Sequence, residues 1–122
     1  MRNKKYLICG ATGAIGSELA NQLYNEKKDC HLIGRNEEEL KKLANKLNYT
    51  FSVCNVLEMN FTKKLSEDLS NINVLGIAYC VGSIDIKPLK LTKSSDFVSS
   101  YVLNLVAVTD IIRTLQDNLK KN

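Results

Sequence analysis

The chain has 122 residues, a formal net charge of +4, 44% hydrophobic and 25% charged residues, the size and balance of one globular domain and not of a disordered or fibrous chain. Its densest basic runs are separated lysine pairs beside acids or asparagines, the pattern of a solvated surface and not of a nucleic-acid patch. No apolar run is read as bilayer-spanning, the N-terminus leads straight into a strand pattern, and Cys9, Cys30, Cys54 and Cys80 lack CxxC spacing and a histidine cluster; no membrane segment, zinc site or disulfide framework is expected, and the thiols suit a reducing cytoplasm.

Lys4–Cys9 is a short apolar run ending at a glycine, the pattern of a strand buried on both faces. Ile15, Leu19, Ala20 and Leu23 then recur at helical spacing as far as Tyr24. His31–Ile33 reads as a second strand stopped at Gly34, with His31 a packed strand residue. Asn36 and Glu39 form an N-x-x-E helix start, and Leu40, Leu43, Ala44 and Leu47 line one face of the helix that follows. Thr50–Cys54 is a third strand, Phe61, Leu65 and Leu69 mark a short helix, and Val74–Cys80 is a fourth strand. A polar loop holding Pro88 precedes one long helix, expected from about residues 92–95 to 119. Its stripe is Phe97, Tyr101, Leu105, Val108, Ile112, Leu115 and Leu119, with Val98, Val102, Val106 and Ile111 on other faces. Strands alternating with helices predict a single α/β domain over 1–122 with a parallel sheet.

The stretch ICGATGAIGSELA carries the functional signal. Gly10, Gly13 and Gly16 sit between the first strand and the first helix. There the first glycine permits a sharp turn and the second lets backbone approach a pyrophosphate. The third lets helix and strand pack closely, and the helix start offers amides to the phosphates. At the end of the second strand an NAD site carries an acid for the ribose hydroxyls. This chain has Gly34, Arg35 and Asn36 there, and an arginine would instead pair with a 2′-phosphate, favouring NADP.

These residues resemble the short-chain dehydrogenase/reductase family, through CGATGAIG at 9–16, IGRNEEELKKLANKL at 33–47, CNV at 54–56, YCVG at 79–82, KPL at 87–89 and the segment from Phe97 to Asn104. The resemblance implies a Rossmann-like sheet of order 3-2-1-4 with helices on both faces, ending before the family's fifth strand. It implies Gly10, Thr12, Gly13, Ile15 and Gly16 at the pyrophosphate and Arg35 and Asn36 at the 2′-phosphate. Asn55 and Val56 would face the adenine, with Tyr79, Cys80, Val81 and Gly82 toward the ribose and nicotinamide. Asn104 matches the asparagine that supports the family's proton relay. The implied activity is NADP-dependent exchange of hydride with a small carbonyl or alcohol.

The sequence also departs from that pattern. Asn55 stands where the family usually has an aspartate, YCVG where it has Asn-Asn-Ala-Gly, and the glycine spacing matches its extended, epimerase-like branch. The family's serine, tyrosine and lysine fall on a later segment, so the chain alone is expected to be inactive. Tyr24 and Lys28 have that spacing but lie at the far end of the first helix. A non-catalytic nucleotide-binding module and an epimerase-like member remain open as alternatives. A homo-oligomer through the 93–119 helix or the fourth-strand edge is a further expectation.

Overall fold

The computed structural model describes residues 4–58, 60–81, 89–91 and 93–120. Four strands, β1 (Lys4–Cys9), β2 (Cys30–Gly34), β3 (Thr50–Val53) and β4 (Asn73–Tyr79), form one sheet in the order β3-β2-β1-β4. All three pairings are parallel. The sequence predicts this order, and the strands lie within a residue or two of their expected bounds.

The continuous apolar runs follow from burial on both faces. On one face Ile8 and Leu32 meet Ala20 of α1 (Ala14–Asn25) and Leu40, Ala44 and Leu47 of α2 (Glu37–Leu47). On the other, Leu7, Cys9, Ile33 and Val74 meet Phe61 and Leu65 of α3 (Phe61–Asp68), together with Ala107, Ile111 and Leu115. Helix α2 begins as its sequence indicates. The Asn36 side chain accepts a hydrogen bond from the Glu39 amide at 3.0 Å, three glutamates fill the first turn, and Asn48 closes the helix at φ 58°.

The C-terminal segment differs from expectation. A 3₁₀ turn (Leu89–Leu91) precedes α4 (Ser94–Tyr101), a π turn (Val102–Val106), α5 (Ala107–Thr114) and α6 (Gln116–Lys120). The Ala107 amide bonds the Val102 carbonyl, five residues back. That extra residue rotates everything before it by roughly 100° relative to a plain α-helix. The predicted single stripe thus does not hold as a whole, although its members Leu115 and Leu119 do lie on the packed face. The buried face is Ala107, Ile111 and Leu115, with Leu103 and Leu119 packed beside it, whereas Tyr101, Leu105 and Ile112 are exposed.

A second correction concerns membranes. The continuous stretch Ser94–Thr114 has 21 residues and mean hydropathy 1.3, so one helix is long and apolar enough to cross a bilayer by length and composition. A buried core helix passes the same test; here 12% of the apolar stretch is buried, with Ala107 and Ile111 in the sheet's core. Among the described residues β4 pairs with β1 alone, and Leu75 on it is exposed.

Candidate functional site

A crevice of about 390 Å³ opens at the carboxyl ends of the strands, where the strand order reverses and ligands bind in such sheets. Gly10, Thr12 and Gly13 line it from the β1–α1 turn, Ile33 to Arg35 from β2, Cys54 to Leu57 from the loop after β3, and Cys80 and Val81 from the end of β4. Ser99, Ser100 and Leu103 close it from α4 and the π turn. The polar pair Ser99–Ser100 was legible as an anomaly in an apolar helix. Its placement was not, because the π turn sets it.

The three glycines do three different jobs. Gly10 has φ 75°, and a Cβ there would stand 2.8 Å from the Cys80 carbonyl carbon and oxygen, so the turn passes directly over the end of β4. A Cβ on Gly13 would meet the Gly10 carbonyl at 3.5 Å, an ordinary contact. Gly13 is the N-cap of α1 and supplies no side-chain cap. The first amides of this helix are thus left for an anion to complete. A Cβ on Gly16 would lie 2.2 Å from the Gly10 carbonyl oxygen, so this glycine joins helix to turn. Gly16 is buried and Ile15 is 75% exposed, and neither belongs to the crevice wall that the sequence assigned them.

Arg35 is exposed at the crevice and has no ion pair among the described residues. Asn36 is not in the wall, because its side chain is committed to capping α2. Asn55 and Val56 are in the wall; the Asn55 Oδ1 accepts from the Leu57 amide at 2.9 Å. Tyr79, expected toward the ribose, faces the core instead: its hydroxyl donates to the Leu103 carbonyl and burial pushes its pKa up to about 12. Cys80 and Val81 line the crevice. Gly82 lies outside the described residues. Asn104 is exposed and outside the wall, with its Nδ2 donating to Ser100 Oγ at 3.1 Å. Tyr24 and Lys28 lie at the opposite end of the sheet, where Tyr24 meets Tyr49 edge-on at 6.4 Å.

The described wall contains no carboxylate, imidazole, lysine or tyrosine. Its thiols stay protonated at neutral pH: burial pushes Cys54 up to about 11, and burial raises Cys80. Among the described residues no cluster of His, Cys, Asp or Glu could hold a metal ion. With a backbone turn, an uncapped helix start, a guanidinium without an ion pair among the described residues, and hydrogen-bonding amides and hydroxyls, the crevice has groups that can hold an anionic ligand. Its own groups are not suited to moving protons.

The family model for short chain dehydrogenases matches residues 4–122. Over 104 residues the chain is 38% identical to a 3-oxoacyl-[acyl-carrier-protein] reductase FabG from Rickettsia bellii, covering 83% of this chain and 42% of that protein. The FabG of Rickettsia prowazekii is 32% identical over 121 residues, with 93% and 50% covered. The chain thus spans about half the length of the curated relatives it matches. A short chain dehydrogenase structure from Salmonella enterica serovar Typhi superposes with a TM-score of 0.89 at 20% identity, over 99% of this chain and 54% of that one.

Proposed function

We propose, from the premise that this chain belongs to the short-chain dehydrogenase family, that it is the dinucleotide-binding half of an NADP-dependent oxidoreductase. The observation that carries this reading is the crevice itself. The uncapped start of α1 lies beside a glycine turn on one side, and Arg35 stands free on the other. The amides of the turn and helix start would hold the pyrophosphate, and Arg35 would pair with a 2′-phosphate. Asn55, Val56, Leu57 and Leu103 would flank the base. When bound, the nicotinamide supplies or accepts hydride. The part of the described residues is to bind and orient that ligand, since the described wall offers no carboxylate, imidazole, lysine or tyrosine as a proton donor. Proton transfer and substrate binding then fall to residues outside the described wall of this crevice. The names of the curated relatives suggest carbonyl reduction of a 3-oxoacyl thioester as the reaction of the complete protein. All four cysteines are free thiols, which agrees with a cytoplasmic setting.

Titration of the protein with NADPH and NADH, followed by nicotinamide fluorescence and by melting temperature, tests the reading. NADPH is expected to bind more tightly and raise the melting temperature; a folded chain that binds neither dinucleotide overturns it. The arginine provides a sharper arm. Arg35→Ala is expected to weaken NADPH by about 1.5–3 kcal/mol, the range for a charge-assisted hydrogen bond, while NADH binding barely changes. Equal losses for both dinucleotides would remove the basis for preferring NADP.

Cys80 gives an independent footprint. It lines the crevice and is partly exposed, and burial keeps its thiol protonated. Its alkylation is therefore expected to be slow at neutral pH and faster at higher pH. Saturating NADPH should slow it further, as read by mass spectrometry of the labelled chain. A rate indifferent to NADPH would place the dinucleotide elsewhere.

A further inference from the structure

The π turn that brings Ser99 and Ser100 to the crevice has a partner on the sheet. In an α-helix the Ala107 amide would bond the Leu103 carbonyl, four residues back. Here it bonds the Val102 carbonyl instead. The Leu103 carbonyl thereby loses its helical donor, and the Tyr79 hydroxyl donates to it. Tyr79 is the last residue of β4, in register with Cys9 of β1, and both Tyr79 and Leu103 pack against the same apolar cluster. A carbonyl left without a donor in such surroundings is costly. Burial pushes the Tyr79 pKa up to about 12, so at neutral pH the hydroxyl keeps the proton that it donates.

The competing arrangement of this segment is a plain α-helix, in which the Ala107 amide returns to the Leu103 carbonyl and the Tyr79 hydroxyl loses its acceptor. The two arrangements present different residues to the crevice. Ala107 and Ile111 fix α5 in the sheet's core, so losing the turn's extra residue rotates α4, by roughly 100°. Each residue of α4 then takes the place of the one before it. Ser100 would stand where Ser99 is, and Tyr101 where Ser100 is.

We infer that Tyr79 is a positioning residue: by holding the Leu103 carbonyl it keeps the helix in its π phase, with Ser99 and Ser100 at the crevice and the Tyr101 ring out of it. Its consequence for binding rests on a dinucleotide occupying the crevice as proposed above. Tyr101 is now 59% exposed and stands outside the wall. In the plain-helix phase its ring would replace the Ser100 side chain in a crevice of about 390 Å³, taking space from the ligand and removing one wall hydroxyl. The role belongs to the Tyr79 hydroxyl alone, because phenylalanine at 79 would keep the packing of the ring and lose only the bond.

The test is a titration with NADPH, by nicotinamide fluorescence, of the unaltered protein, Tyr79→Phe, Tyr101→Ala and the double variant, with the melting temperature of each. Tyr79→Phe keeps its ring in place and is expected to stay folded, with the dissociation constant for NADPH raised by about three- to tenfold, the scale of one hydrogen bond. Tyr101→Ala alone removes an exposed ring outside the wall and is expected to bind as the unaltered protein does. The double variant is expected to regain most of the affinity that Tyr79→Phe loses, because no ring then enters the crevice. A role in packing alone would change the melting temperature and not this pattern. Tyr79→Phe with the parental dissociation constant overturns the inference and leaves the dinucleotide reading intact, as does a loss that Tyr101→Ala fails to restore. A folded, unaltered protein that binds no NADPH overturns both.

Discussion

Gly16→Ala is expected to lower the unfolding free energy by about 3 kcal/mol or more and the melting temperature by on the order of 10 °C. A Cβ on Gly16 would lie 2.2 Å from the Gly10 carbonyl oxygen and 3.0 Å from Ala11 Cα, both backbone atoms. No side chain can rotate out of the way. The turn must move, and it is held by the Gly10 and Ala11 amides on the Ile33 carbonyl at 2.9 and 3.1 Å. Relieving the clash therefore pulls the crevice floor away from β2 or lifts α1 from the sheet, where Ala20 is fully buried. Against a total stability of about 5–15 kcal/mol for a domain, the loss is large. Gly13→Ala is the contrast. Its φ of −74° suits any residue and its new methyl group meets only ordinary contact. A stability change of about 1 kcal/mol or less follows, the scale of a cap substitution, with NADPH binding weakened because the methyl group stands at the crevice wall. Urea unfolding of both variants, with NADPH titration of Gly13→Ala, separates the glycine that builds the turn from the glycine that lines the crevice. Gly16→Ala with the parental unfolding midpoint would show that the turn yields at little cost.

Those glycines also mark how far the sequence could be read. The sheet was legible because each strand is a short apolar run bounded by turn residues, and because strand–helix alternation with right-handed crossovers leaves few arrangements. Gly10 and Gly13 at the crevice, Arg35 at the end of β2, and Asn55 and Val56 after β3 follow from that arrangement with one motif added. The placements that differ from the sequence reading have other causes. Asn36 has one side chain and two assigned tasks, and the local cap at 3.0 Å takes it. Tyr79 lies beside the wall residues Cys80 and Val81, but its hydroxyl is taken by the Leu103 carbonyl and its ring packs against the core. In the C-terminal helix, a single π turn at 102–106 breaks the 3.6-residue period on which the predicted stripe depended. That event brings Ser99, Ser100 and Leu103 to the crevice, and no composition or spacing signal announces it. Single-residue phase was thus the limit. Element type and order survive an error of one residue, whereas the assignment of a side chain to a wall does not.

His31 supports the second large prediction, a loss of stability by about 3 kcal/mol as pH falls from 6.5 to about 4. Its ring is 4% exposed on β2, with Nδ1 2.7 Å from Thr50 Oγ1 and Nε2 2.7 Å from Ser52 Oγ. The direction of each bond can be deduced from its ends. Ser52 gives its proton to Asp68 Oδ2 at 2.6 Å, so Ser52 Oγ accepts from Nε2–H. The Lys5 ammonium donates to Thr50 Oγ1 at 3.1 Å, so the Thr50 hydroxyl proton is free to go to Nδ1. Every position in this chain is satisfied only when the imidazole is neutral and carries its proton on Nε2. A second proton on Nδ1 would face the Thr50 hydroxyl and the Lys5 ammonium behind it. Burial first and the Lys5 charge second lower the His31 pKa from 6.5 to about 4, against smaller opposing effects of Asp68 and Asp29. Above pH 6.5 neither the native nor the unfolded chain protonates the ring, and the full contribution is present. Below it the unfolded chain gains a proton that the native chain refuses, so stability falls by about 1.4 kcal/mol per pH unit until the native ring titrates near 4. Carboxylates add their own slope, so the measurement is a difference: urea unfolding of the unaltered protein and of His31→Gln at intervals from pH 7.5 to 4. The variant is expected to start less stable and to lose less with acid, by the slope of one proton. Parallel profiles would mean that the native chain can charge His31 after all, through a reversal of the Thr50 hydroxyl and a retreat of Lys5 toward Asp29, which stands 3.7 Å away.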